Sequence, residues 1–174
     1  MPDSRRPAPE PVSADPIGGD AGPLPWPAVQ QRLIEPRFYW FATTRPDGRP
    51  HVRPVLGVVL DGALHTTSSP ATRKAKNLAA DPHCSVSVSV DHVDVILEGT
   101  AEHVTDMTQL HRISDAYAAK YGWPTTPVDG ALDAPYGAPT GGSPPYDLYR
   151  IEPTTVFALG TNEELAPLST RFRF

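Results

Sequence analysis

His65-Thr66-Thr67-Ser68-Ser69-Pro70-Ala71-Thr72-Arg73-Lys74-Ala75-Lys76-Asn77-Leu78 reads as the end of a strand, a hydroxyl-rich turn and the first turns of a helix. Ser69 suits an N-cap, because its side-chain oxygen can accept from a backbone N–H one turn on. Pro70 suits the first helical position, where its missing N–H costs nothing. Arg73, Lys74 and Lys76 then fall in early turns that already carry partial positive charge, where cations are mildly unfavourable. An anion seated among them removes the conflict, since hydroxyls, open backbone N–H groups and cations together make a phosphate cradle. The plainer alternative is that Arg and Lys are good helix formers on a solvated face. The segment is no Walker loop, so both readings stand at this point.

Working outward, the residues before the turn are strand-like. Positions 37–44 are aromatic and β-branched, and Arg45-Pro46-Asp47-Gly48-Arg49 has turn chemistry. Positions 50–60 return as a second strand, and Asp61-Gly62 is a two-residue hairpin signal leading into a third at 63–67. Beyond the turn, the helix 70–80 stops before Asp81-Pro82. Positions 84–90 alternate small polar and apolar residues, so one face of that strand is buried. The next strand, 93–104, contains Gly99 as a bulge or close-approach point. Thr105-Asp106 caps a helix over 107–121, with Met107, Leu110, Ile113, Tyr117 and Tyr121 as its apolar stripe. A last strand follows at 146–159. A short amphipathic helix is expected at 27–34, closed by Pro36.

Proline draws the boundaries. Of the 22 prolines, Pro2, Pro7, Pro9, Pro11, Pro16 and Pro23 crowd residues 1–24, which predicts a disordered or loosely docked arm. A single domain is expected over 25–174, with a Pro/Gly-rich loop at 123–145 that reads as a lid or a disordered insert. About six strands, no βαβ alternation and no repeat predict a mainly β protein with flanking helices, an antiparallel barrel.

Composition narrows function. A net charge of −5 argues against a general nucleic-acid binder. There is no run of about 18 apolar residues to span a membrane, and no apolar leader segment, so a cytoplasmic protein is expected. Cys84 is the one cysteine, a small buried hydrophobe by its place on the alternating strand, which leaves no intrachain disulfide and no thiolate cluster. His51, His65, His83, His92, His103 and His111 have no pair at ligand spacing on one helix, so no metal site is expected.

The order of these motifs resembles a known family. It runs strand, Asp-Gly turn, strand with Arg53-Pro54-Val55, hairpin, Thr66-Thr67-Ser68-Ser69 and then Thr72 through Pro82. Val95-Ile96-Leu97-Glu98-Gly99-Thr100-Ala101 and Tyr117-Ala118-Ala119-Lys120-Tyr121-Gly122-Trp123 add to it. Over roughly residues 30–160 the chain resembles the pyridoxamine 5′-phosphate oxidase-like split β-barrel superfamily. The likeness is to its actinobacterial flavin- and deazaflavin-dependent oxidoreductases in particular. The resemblance implies a six-stranded antiparallel split β-barrel of the FMN-binding type. It also implies a homodimer with interfacial cofactor sites, FMN or the deazaflavin coenzyme as cofactor, and hydride transfer to or from a small organic substrate. Carried over, Arg73 and Lys74 bind the cofactor phosphate, with the hydroxyl turn Thr66, Thr67, Ser68, Ser69 and Thr72 around them. Arg53, Pro54 and Val55 run along the isoalloxazine ring.

The chain departs from pyridoxamine phosphate oxidases proper in two places. Val58 or Val59 stands where the resemblance would put a Lys, and the tail Arg171-Phe172-Arg173-Phe174 has no Trp, which argues against vitamin B6 phosphate as substrate. Lys120, Trp123 and, from a partner chain, Arg171 are the candidates for the substrate side. For Lys120 the alternative is a solvated charge. No catalytic residue is named, because the ring itself carries the hydride chemistry. The competing reading is a non-catalytic flavin- or haem-binding carrier of the same fold, the haem held by a single axial His.

Overall fold

The computed structural model describes residues 6–138 and 141–174. In chain order the elements are β1 (Ser13–Pro16), α1 (Trp26–Ile34), β2 (Tyr39–Thr44), β3 (Pro50–Val55), β4 (Gly57–Leu60), β5 (Ala63–Ser68) and α2 (Arg73–Ala80). They continue as β6 (His83–Val90), β7 (Val93–Val104), α3 (Met107–Tyr121), β8 (Thr126–Val128), β9 (Ala131–Asp133), β10 (Asp147–Gly160) and β11 (Thr170–Arg173). All six strands read from the sequence are present, the second of them broken at Leu56 into β3 and β4.

That break makes the architecture. β3 pairs with β2, while β4, the next stretch of the same chain, pairs with β5. β5 pairs with β10, which continues the ladder through β7 and β6 back to β2. Every pairing is antiparallel. The sheet therefore curls round on itself with a split where the chain passes from β3 to β4. This is a mainly β, antiparallel split barrel. Period-two patterning sorts the faces: Val86 and Val88 point into the barrel with Tyr39, Phe41, Val95, Leu97 and Ile151, while Ser85 and Ser87 lie outside. A second core forms where α3 lays Leu110, Ile113 and Tyr117 over Val58, Val104 and Leu148. Gly99 is the close-approach point that the sequence indicates. A Cβ there would stand 2.0 Å from the Glu152 carbonyl oxygen, beside the register shift between Pro153 and Thr155.

Two segments differ from their reading in the sequence. In the arm, residues 13–16 form an edge strand in register with β11, the Arg6 guanidinium pairs with Glu102, and the Pro7 carbonyl accepts from Arg150. The segment buries little apolar surface, and ladder bonds and ion pairs hold it instead. Residues 1–5 of the arm lie outside the described residues. The 123–145 loop contains a β-hairpin, β8–β9, turned at Asp129-Gly130 with φ of 50° and 80°. Asp-Gly is the hairpin signal recognised at Asp61-Gly62, and at 129–130 it was masked by the surrounding prolines. Residues 139 and 140 of that loop are outside the described residues. The aromatic tail is accounted for: Trp26 packs on Phe172 and Phe174 at 5.1 and 5.2 Å.

His65 lies buried on β5, directly opposite Arg150 of β10. Burial, and then the Arg150 charge, bring its imidazole down to about 4. The unfolded chain takes up this proton near pH 6.5. The contribution of neutral His65 is thus fully present above that pH and is lost as pH falls toward 4. We predict that this group alone costs about 3 kcal/mol of stability by pH 4. Urea unfolding at pH 7 and pH 4.5 checks it, since His65→Asn should flatten the difference. An equally steep loss in the variant would refute the assignment.

Candidate basic pocket

The turn before α2 folds one residue-triplet later than the sequence suggests. The N-cap is Thr72, whose Oγ1 accepts from the Ala75 N–H at 3.3 Å, in place of Ser69, and the helix begins at Arg73 in place of Pro70. The reason is local competition for the hydroxyls. The Thr72 hydroxyl donates to the Ser69 carbonyl at 2.9 Å and lies 2.6 Å from the Ser68 Oγ, closing a tight turn that leaves Pro70 outside the helix. Arg73 and Lys74 thereby become the first two helical residues, nearer the positive pole of the helix than the sequence had put them.

An open pocket of about 340 Å³ lies at this helix start, lined by His51, Arg53, Thr72, Arg73 and Lys74. Arg53 comes from β3, and the other two cations come from α2. No acid lines it. Lys74 is only 2% exposed, and burial, then the Arg53 charge, lower its ammonium to about 8. His51, 7% exposed, is held below its ordinary value by burial first, then by Arg53, Arg45, Lys74 and Arg73. Its Nδ1 is buried with no hydrogen-bond partner. Guanidinium, ammonium, hydroxyl and helix N–H donors together are the donor set that suits a phosphate.

Of the residues named from the sequence for the cofactor, the structure brings Arg53, Thr72, Arg73 and Lys74 together on this pocket. Ser68 and Ser69 are buried behind it, and the Ser69 N–H is already bonded to the Gly141 carbonyl at 2.8 Å. Thr66 is buried as well and donates to the Leu56 carbonyl at 2.9 Å, as part of the strand break, while Thr67 is buried on β5. Pro54 pairs with Trp40, and Val55 points into the barrel core. His51 is the residue missed. Its signal was its place two before Arg53 on one strand, which puts both side chains on one face.

The substrate-side candidates do not line this pocket. Lys120 donates to the Tyr39 hydroxyl and to the Gly57 carbonyl, each at 2.9 Å, and sits over the Tyr39 ring at 5.0 Å. Burial, then the Arg37 charge, lower its ammonium to about 8. Trp123 is buried against Tyr117 and Tyr146, with its indole N–H donating to the Tyr136 carbonyl. Arg171 pairs with Asp15 of β1. Among the described residues, no three His, Cys, Asp or Glu side chains are placed to hold a metal.

The model of the family described as pyridoxamine 5′-phosphate oxidase matches residues 25–160, the whole of the barrel from α1 to the end of β10. The chain belongs to that family. Among solved structures it is similar to a conserved hypothetical protein of Mycobacterium tuberculosis, 22% identical, with a TM-score of 0.62 over 80% of this chain and 86% of that one. It is also similar to an F420 reductase, 22% identical, TM-score 0.53, over 73% of this chain and 94% of that one. A heme-binding protein from Mycobacterium smegmatis is 22% identical, with a TM-score of 0.58 over 80% of this chain and 56% of that one. At these identities the likeness is one of fold. No curated relative matches the chain.

Lys120 as placed is a clamp between α3 and the strand break. We predict that Lys120→Met lowers stability by about 1–3 kcal/mol, the size of hydrogen bonds to a charged group, and leaves anion affinity within twofold. Thermal unfolding and a phosphate-ligand titration of the same preparation check both halves. Unchanged stability with weakened binding would return Lys120 to the ligand site.

Proposed function

We propose that the chain is an oxidoreductase that uses FMN or the deazaflavin coenzyme, transferring hydride to or from a small organic substrate. The observation that carries this reading is the basic pocket at the start of α2, beside a strand of the family's split barrel. Arg53, Arg73 and Lys74 would hold the cofactor phosphate, and Thr72 would add its hydroxyl. The ring would lie along β3, which among the described residues stands at the end of its ladder beside β2. Bound, the ring supplies the hydride chemistry, and the chain binds, orients and excludes water around the reacting carbon.

The reading extends to a homodimer. The outer face of β2 and β3 presents Trp40, 57% exposed, with Val52 beside it, and Phe38 precedes the strand, also exposed. A contiguous exposed apolar face of this kind favours burial against another protein surface. A second copy would cover it and close the cofactor from the far side. Among the described residues no helix is long and apolar enough to cross a membrane.

The test is a fluorescence titration of the apo protein with FMN, with the deazaflavin coenzyme and with haem. Micromolar binding of one flavin-type ligand is expected, and Arg73→Ala with Lys74→Ala should weaken it by about 2–4 kcal/mol, as loss of charge-assisted bonds to phosphate does. Equal affinity in the double variant would show that the phosphate sits elsewhere. Tight binding with no turnover against hydride acceptors would favour the carrier reading, and binding of haem alone would retire the oxidoreductase reading.

A further inference from the structure

Residues 6–9 of the arm lie across one end of the barrel core, beside the Asp61-Gly62 turn. Pro9 meets an apolar wall there, made by Trp26 of α1, Val59 and Leu64 of the β4–β5 hairpin, Leu97 of β7 and Ile151 of β10. Ala8 rests on the turn itself, where a Cβ on Gly62 would stand 2.6 Å from its own. The free space left under the arm is about 10 Å³, roughly that of a single water. In the wall, the indole N–H of Trp26 is buried with no hydrogen-bond partner. None of these residues lines the basic pocket.

The fastenings of this segment are weak. The ladder of the arm begins at Val12, whose N–H donates to the Arg173 carbonyl at 2.7 Å. Upstream of it, Pro7, Pro9 and Pro11 have no N–H to give to a ladder. What ties the segment is Arg6, which pairs with Glu102 and lies 3.4 Å from Glu152, and the Arg150 guanidinium, which donates to the Pro7 carbonyl at 3.3 Å. The Arg6 and Glu102 side chains are 48% and 41% exposed, so solvent and salt screen their attraction. A strongly apolar wall is thus closed by a short, polar-tied cover, and a molecule that gives the wall more apolar contact than Pro9 does can displace it.

We propose that residues 6–9 are a strap over a ligand chamber, turning on residues 10–12 and displaced by a small apolar molecule of about one aromatic ring that carries a hydrogen-bond acceptor. The space under the closed strap does not admit such a molecule, so ligand and strap exclude one another. Lifting the strap clears the places of Ala8 and Pro9 and uncovers the wall, where the acceptor meets the Trp26 indole N–H. The Arg6 ion pair sets the open fraction, and the apparent affinity scales with that fraction. The chamber is separate from the basic pocket, and the inference does not rest on the cofactor reading.

The full chain is titrated with acetophenone at low ionic strength, with its three tryptophan indole N–H signals followed by proton–nitrogen NMR. We expect the Trp26 signal to move saturably. Arg6→Glu should bind about fivefold tighter than the native chain, and Arg6→Lys, which keeps the pair, within about twofold of it. If Arg6→Glu does not fold, Arg6→Ala removes the pair without adding repulsion and should shift affinity in the same direction. Equal affinity in the native chain and the pair-breaking variant overturns the proposal. So does a Trp26 signal that stays fixed in every chain, or movement of the exposed Trp40 signal in its place.

Discussion

The structure depends on how the backbone of one residue, Gly57, is held at the strand break. Gly57 follows the point where β3 ends and opens β4, opposite Thr66 of β5, and its N–H and C=O are both bonded by side chains of α3. The Tyr121 hydroxyl donates to the Gly57 carbonyl at 2.7 Å and accepts from the Gly57 N–H at 3.0 Å, and Lys120 adds a second donor to that carbonyl. An unpaired backbone group in such a half-buried place is costly, so α3 must dock with its last turn over the break. Gly57 fits tightly here. A Cβ there would lie 3.0 Å from the Tyr39 ring and 3.1 Å from Leu64. The clamp lets one run of chain serve two ladders, and the gap between β3 and β5 is the consequence.

That gap gives the basic pocket its place. β3 is left as the end of its ladder, with His51 and Arg53 facing the start of α2 across the split. The helix is short, and its cations are crowded at the positive pole. The cost of burying these charges together is visible in the lowered proton affinities of Lys74 and His51. Perturbed groups gathered in a concave site are a mark of function. A pocket with a surplus of positive charge and donors, on the barrel of the pyridoxamine 5′-phosphate oxidase family, is what supports the proposed anion site.

Much of this was legible in order. Period-two runs at 84–90 and 93–104, Asp-Gly turns and the stripe on α3 gave the strands, hairpins and second helix, because each is set by residues adjacent in the chain. The cap was read three residues early. Ser69-Pro70 and Thr72-Arg73 both satisfy the local rules for a helix start, and the choice was made by Ser68 and by the Gly141 carbonyl, which come from elsewhere in the turn and fold. The hairpin within 126–133 was hidden because its Asp-Gly signal is embedded among prolines.

The sequence alone therefore determined the six principal strands, the antiparallel class and the cationic helix start, since hydrophobic period and turn chemistry are short-range properties. The edge strands β1 and β11 and the β8–β9 hairpin came only with the fold. Tertiary structure decided which of the named residues share a site. It took Val55 into the core and Thr66 into the strand break, gave Lys120 to the Gly57 clamp and Arg171 to Asp15, and put His51 beside Arg53 and Lys74. The reason is that burial and charge proximity depend on the curl of the sheet and the docking of α3, which bring together residues that no local pattern links.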